Sequence, residues 1–538
     1  MPEQSSTKSN TADLESKSVP SESGSRRGFM ALSALVVASF AEACASSDGG
    51  SVPGGGGGAS SATGGAANPP GGAGTGAGGA PGGGLAGAPG GVAGTPGGVA
   101  GGTPTGAGGA GTGTGGTPGT GGTSTGTAGA GSTTPPMTGT WKENNFTPLP
   151  AIPSSAGMSN PKLPDPFKFI SGTRITAKDD WEKLRADLSA LLQSAVYGPK
   201  MPKPDMLTAT FSGGKVTVNM TVGSKTGSFS FSITGGGTMA APVPCIITCN
   251  GTSLPIPSGI ATITLNTDTF AKQDKAIPTN GLVTTLYGDA AAKSGSDICW
   301  AWGLSRIIDA LELVPEAGID VHAIGATGCS YAGKGALAMG CFDERVCLTI
   351  VQEGGSGGTA LWRVSTAEAK AGQNIQEATE IVGEQNWEGK DFKTLFTGKA
   401  KTSAPVDQLI ADQHFAVALC APRAILIVEN NIDWLGPVAT YGGGIAGRAV
   451  FEALGIKDRC GVSVSKTHGH CTEFPSTQSA YLNAFCTRFL KKGTADTSGV
   501  DELNTSSTTS KLGKFNTADW IDWTTPTLTG ALPWDPFA

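Results

Sequence analysis

The chain has 538 residues and a formal net charge of −6, a balance that excludes a nucleic-acid binder built on a basic surface. Its 84 glycines and 34 prolines are too many for one globular unit of that length, so part of the chain is not globular. Only four histidines and no CxxC pair are present, which leaves no basis for a metal cluster.

Residues 1–48 read as an export signal of twin-arginine type. In "SRRGFMALSALVVASFAEAC", Arg26-Arg27 precede an apolar run from Phe29 to Ala41 that is too short to span a bilayer. Cys44 is a candidate lipidation site and so a candidate membrane tether. Export by this route implies folding before translocation and then an oxidising compartment. Residues 49–140 are Gly, Ala, Thr and Pro in loose repetition, without large side chains to offset the entropy of ordering, and read as a disordered tether. The roughly 400 residues of 141–538 suffice for one large α/β domain.

Along that domain, "DDWEKLRADLSALLQSAVYG" has helical apolar spacing and ends at Gly198-Pro199. Two alternating strands follow, "KVTVNMTVG" and "GSFSFSITGG", and then "PVPCIITCNG", a continuous apolar run suited to a sheet covered on both faces. A helix is predicted in "GSDICWAWGLSRIIDALELVPEAG", a buried strand in "IDVHAIGATG" and a helix from Lys334. The strands "RVCLTIVQEGGSGG", "PRAILIVENN" and "KDRCGVSVSKTHGHC" come next, and the helix "TQSAYLNAFCTRFLKKG" after them. This alternation predicts a mostly parallel sheet with helices on both faces, a three-layer sandwich whose active residues gather at the carboxyl ends of strands.

Ser330 stands at such an end, on a strand-to-helix corner flanked by Gly328 and Gly333. Glycine permits the tight backbone, and the following helix points free N–H groups at any oxyanion formed there. This is the nucleophile elbow of α/β-hydrolases with one departure: the second glycine comes one residue later than in G-x-S-x-G. Among the bases, His322 falls inside the strand leading to the elbow and His414 inside a helix, and both read as packed; His468 and His470 share the loop after "GVSVS". His470 precedes Cys471 as Cys329 precedes Ser330. If serine and histidine meet at about 3 Å, their neighbouring cysteines approach the Cα separation of about 5.5 Å that a disulfide needs. For the acid, Glu353, Glu429 and Asp433 all stand at or after strand ends. Ten cysteines follow Cys44, an even number that permits disulfides without fixing their pairing.

At this point the chain resembles the glucuronoyl esterases, carbohydrate esterase family 15. The family's motifs G-C-S-R-x-G-K, Q-E-S-G-S-G-G, N-x-Q, G-E, I-D-W-L-G-P and H-C-x-F-P-S-x-Q are matched in order. Here they read "GCSYAGK", "QEGGSGG", "NIQEATEIVGE", "NIDWLGP" and "HCTEFPSTQ", within Trp181 to Lys492. The resemblance implies an α/β-hydrolase fold, with Ser330 as nucleophile, His470 as base, Glu353 as acid and a Cys329–Cys471 disulfide. It also implies a sugar site of Lys334, Gln376, Glu384 and Trp434. A first-turn lysine is poorly placed for the helix dipole, a tryptophan offers a flat face to a sugar ring, and Gln376 and Glu384 are eight residues apart in a predicted helix.

Two departures stand out. Tyr331 occupies the position of the family's arginine, so the oxyanion would be met by its backbone N–H without the charge. Leu361 and Gly443 stand where a second disulfide is often found. The expected function is a serine esterase on 4-O-methyl-glucuronoyl esters joining xylan to lignin alcohols, monomeric, with no metal or organic cofactor. The alternatives are an esterase on another uronate or acyl sugar, and a catalytically weak uronate-binding protein of the same fold.

Overall fold

A computed structural model describes residues 142–143, 159–472, 474–503 and 510–538. The expected export signal with Cys44 and the expected tether lie outside the described residues. Ten strands form one sheet: β1 (Met206–Ser212), β2 (Lys215–Val222), β3 (Lys225–Thr234), β4 (Val243–Cys249), β5 (Ala261–Leu265), β6 (Ile319–Cys329), β7 (Val346–Gln352), β8 (Ala424–Glu429), β9 (Cys460–Val464) and β10 (Asp501–Leu503). Their order across it is β1-β2-β3-β5-β4-β6-β7-β8-β9-β10. The β1-β2-β3-β5 end is antiparallel, and every pairing from β5 to β10 is parallel.

The parallel strands are apolar on both faces because helices cover both. On one face Ile247, Ile425, Ile427 and Val462 pack with residues of the helices Ser296–Leu313, Tyr331–Phe342, His414–Leu419 and Pro437–Leu454. The alternate residues Ile246, Leu348, Ile350, Leu426 and Val428 face the opposite way, against Leu482 and Phe485 of the helix Ser476–Phe485 and Phe489 of the turn Cys486–Leu490 that follows it. Strand periodicity of two thus divides each run between two cores, which is the three-layer α/β-hydrolase sandwich. Among the described residues no helix is long and apolar enough to cross a membrane.

Several expectations are corrected in detail. β1 and β5 were not anticipated, and the helix expected from Lys334 begins at Tyr331. His322 is exposed on β6 rather than packed. Gln376 precedes the helix Ala378–Glu384 instead of lying in it, because Glu377 caps that helix by accepting from the Thr379 N–H at 3.0 Å. One disulfide forms, and the eight other described cysteines are buried thiols. Leu361 and Gly443 face each other: a Cβ on Gly443 would stand 3.6 Å from Leu361 Cγ and 1.9 Å from Thr359 O, so close helix packing takes the place of a bridge.

Candidate active site

The sheet register brings the site together. Cys329 of β6 pairs with Gln352 of β7, so Ser330 and Glu353 emerge side by side at adjoining carboxyl ends. Ser330 donates its N–H to Gln352 O at 3.1 Å, and Glu353 donates its own to Val428 O at 2.9 Å. Both residues have left-handed backbones, with φ of 60° and 46°, and so have Asn250 and Cys471 at 53° and 55°. These are four of the five non-glycine residues of that kind among the described residues. Such conformations cost about 1–3 kcal/mol each and persist where the surroundings over-determine them, as at functional sites. The two glycines of the corner are demanded by contact: a Cβ would lie 2.3 Å from Ala332 O at Gly328 and 2.5 Å from Gln352 O at Gly333. The second glycine is therefore needed where it stands, one residue beyond the usual pattern.

His470 meets Glu353 directly, Nδ1 to Oε2 at 2.6 Å, which fixes the proton on Nδ1 and leaves Nε2 as the basic atom. The same carboxylate oxygen accepts the Cys471 N–H at 3.1 Å and Asn430 Nδ2 at 3.4 Å, while Oε1 accepts Gln352 Nε2 at 3.2 Å. Glu429 takes another path: it accepts N–H groups of Asn430 at 2.9 Å and Gly355 at 3.2 Å and the Thr440 hydroxyl at 3.2 Å. Burial pushes its carboxyl up to about 8, against the opposing pull of these hydrogen bonds. Cys329 and Cys471 are joined with Cα atoms 5.9 Å apart, which clips the histidine loop onto the elbow. Glu353, His470 and the two sulfurs offer atoms within 4.8 Å of one another, and with both sulfurs bonded the group lacks the thiolates a metal would require. His468 positions the loop: Asn430 accepts its N–H at 3.2 Å and donates to its carbonyl at 3.0 Å. His414 is structural, buried against Pro164 O at 2.9 Å.

Lys334 is buried, and Nζ donates to Gly354 O at 2.7 Å and Ser356 O at 2.6 Å, leaving one of its three protons for another acceptor. Burial lowers its pKa, while Glu388, Glu384, Asp297 and Glu429 oppose that shift. Asp297 and Glu388 were not anticipated by sequence. The Asp297 carboxylate has no hydrogen-bond partner among the described residues, and burial raises both acids, Glu388 to about 7. A polar pair inside apolar segments is the signal that could have found them. Gln376 Nε2 donates to Glu384 Oε1 at 2.7 Å, and its backbone N–H donates to Trp434 O at 3.1 Å. The Trp434 ring stands edge-on to His470 at 4.9 Å. Tyr331 stacks parallel to Trp387 at 6.4 Å, and its hydroxyl accepts from Asn250 Nδ2 at 3.2 Å. The arrangement is that of acyl transfer: a serine on a strained corner, a helix N-terminus behind it, and a carboxylate-held imidazole clipped beside it.

The model of the family described as "Glucuronyl esterase, fungi" matches residues 218–455. The 4-O-methyl-glucuronoyl methylesterases of Hypocrea jecorina and Cerrena unicolor are 42% identical over 380 residues and 43% identical over 382 residues. These spans cover 70% and 69% of this chain and 79% and 77% of the relatives. Among solved structures, the glucuronoyl esterase catalytic domain of Hypocrea jecorina superposes with a TM-score of 0.63 at 40% identity, covering 69% of this chain and 98% of that one. A serine-to-alanine mutant of the Sporotrichum thermophile glucuronoyl esterase, in complex with methyl 4-O-methyl-beta-D-glucopyranuronate, gives the same score and identity over 69% and 97%. With fold, corner and relatives in agreement over most of the described chain, the protein belongs to the glucuronoyl esterase family.

Proposed function

We propose that the chain hydrolyses 4-O-methyl-glucuronoyl esters, those joining glucuronoxylan to lignin alcohols, by a serine mechanism. Ser330 Oγ attacks the uronoyl carbonyl carbon as His470 Nε2 takes its proton, and the imidazolium so formed is held by Glu353. The oxyanion is met by N–H groups at the start of the Tyr331–Phe342 helix. Collapse expels the alcohol, protonated by His470, and water then releases the uronate by the same steps in reverse. Lys334 offers its remaining proton to the uronate, Gln376 and Glu384 bind hydroxyls as one bonded pair, and Trp434 lies against the sugar ring. The observation that carries this reading is the 2.6 Å bond from His470 Nδ1 to Glu353, beside a serine at φ 60°.

The same proposal places the enzyme outside the cytoplasm, carried by the export signal read in 1–48. The full chain and its Ser330→Ala variant should be compared on methyl 4-O-methyl-glucuronate, benzyl glucuronate and a simple acetyl ester. Turnover of the two uronate esters, lost in the variant by about 10⁴-fold or more, is expected. Equal turnover of the acetyl ester would sink uronate specificity, and turnover that survives in the variant would sink the serine mechanism.

A further inference from the structure

We infer that the hydroxyl of Tyr331 donates a hydrogen bond to the oxyanion of the tetrahedral intermediate, and that Asn250 sets the direction of that bond. The inference rests on the esterase reading above and names two further working parts of the same site.

The direction follows from hydrogen-bond chemistry. The Thr267 backbone N–H can only donate, and it reaches Asn250 Oδ1 at 3.0 Å, so the other end of that amide is the NH2. Asn250 Nδ2 in turn reaches Thr267 Oγ1 at 2.6 Å and the Tyr331 hydroxyl at 3.2 Å, which uses both its protons. The tyrosine oxygen is therefore the acceptor of that contact, and its own proton has to point elsewhere. A tyrosine beside a carboxylate or carbonyl would have been the donor and would have turned the proton away from the site.

Placement supplies the target. Thr248 of β4 pairs with Thr327 of β6, so Asn250 stands level with Cys329, next to the corner. Tyr331 thus leans toward β4, while Glu353 and His470 come from the β7 side. Base and donor flank Ser330 from opposite directions, as attack on a carbonyl requires. The ring is held without being sealed off. It lies 3° from parallel with Trp387, edge-on to Trp300 at 6.2 Å, and partly exposed. Both tryptophans are tied down, Trp300 to Ala271 O at 2.9 Å and Trp387 to Gln273 Oε1 at 3.1 Å. The left-handed backbone of Asn250, a conformation asparagine tolerates better than most residues, keeps its amide at this position. No proton is transferred; the hydroxyl stabilises negative charge and returns unchanged.

Tyr331→Phe removes the donor and keeps the stacked ring. On methyl 4-O-methyl-glucuronate it should lower kcat about 10²-fold with KM within about twofold. Asn250→Asp puts an acceptor beside the hydroxyl and should give a loss of the same order. The double variant should be no slower than the slower single one, because the two act through one proton. Thermal midpoints of all three are measured alongside, and Tyr331→Phe decides the question if the Asn250 variant unfolds. Unchanged kcat in Tyr331→Phe, or a rise in KM alone, would overturn the donor role. Losses that multiply in the double variant would overturn the role of Asn250. A wild-type chain without turnover would instead remove the esterase reading itself, and this inference with it.

Discussion

At the scale of single residues, the site is decided by where protons are fixed. Glu353 accepts from His470, Cys471 and Asn430 through one oxygen and from Gln352 through the other, and the residue is almost wholly buried. Glu353→Gln must present an amide NH2 to at least one of these donors, which turns or retautomerises the imidazole. We expect kcat on a methyl uronate ester to fall by about 10⁴-fold with little change in KM; a loss under tenfold would show that the carboxylate is not what orients His470. Sequence pattern left three acids open for this role, because Glu353, Glu429 and Asp433 all follow strands. The chain folds so that Glu429 points at Gly355 N–H and Thr440, a choice that belongs to neighbouring loops and is invisible along the sequence.

At the scale of elements, the corner between β6 and its helix is held by a covalent clip to the loop after β9. The bridge joins residues 142 apart in sequence. Closing so long a loop in the unfolded chain is worth up to about 5 kcal/mol on the chain-entropy account and typically 2–4 kcal/mol in practice. Replacing both cysteines, Cys329→Ser with Cys471→Ser, should therefore lower the thermal midpoint by several degrees. It should also lower kcat more than it raises KM, since the loop that carries His470 then loses its covalent restraint and keeps non-covalent ones, among them those to Asn430, Asn431 and Glu353. A variant with a lower midpoint and unaltered kcat would reduce the disulfide to a stabiliser. The elements themselves were unequally legible. Strands β4, β6, β7 and β8 announce themselves because both faces are buried, whereas β1 alternates between exposed and half-buried positions and β5 is five residues long, so neither carries a strong pattern.

At the scale of the whole molecule, several buried acids make stability depend on pH in a defined direction. Burial pushes Glu429 up to about 8 and Glu368 and Glu388 up to about 7. Between the ordinary carboxylate range and those values the folded chain holds more protons than the unfolded one, so stability is lost as pH rises through the window. His414 works at the other end. Burial lowers it to about 4, the unfolded chain binds the extra proton below about 6.5, and stability is lost as pH falls. Three carboxyls outweigh one histidine, so melting midpoints should fall as pH rises from 5 to about 8 and level off above that. Glu429→Gln should flatten that decline; an unchanged slope between about pH 5 and 8 would mean that Glu429 is already ionised in the fold.

The sequence by itself determined the class of fold, and it put Ser330 on a strand-to-helix corner and His470 in a late loop, because each rests on a local pattern: two-sided apolar strands, glycines at fixed offsets, and ordered short motifs; the sugar-site residues came only with the family resemblance. It could not show that Lys334 is buried among carboxylates, that Gln376 sits outside its helix while still bonding Glu384, or that Asn250 orients Tyr331. Those are contacts between segments up to about a hundred residues apart, made only when the parallel register brings strand ends level. Local chemistry chose the parts, and the register of the sheet chose which of them meet.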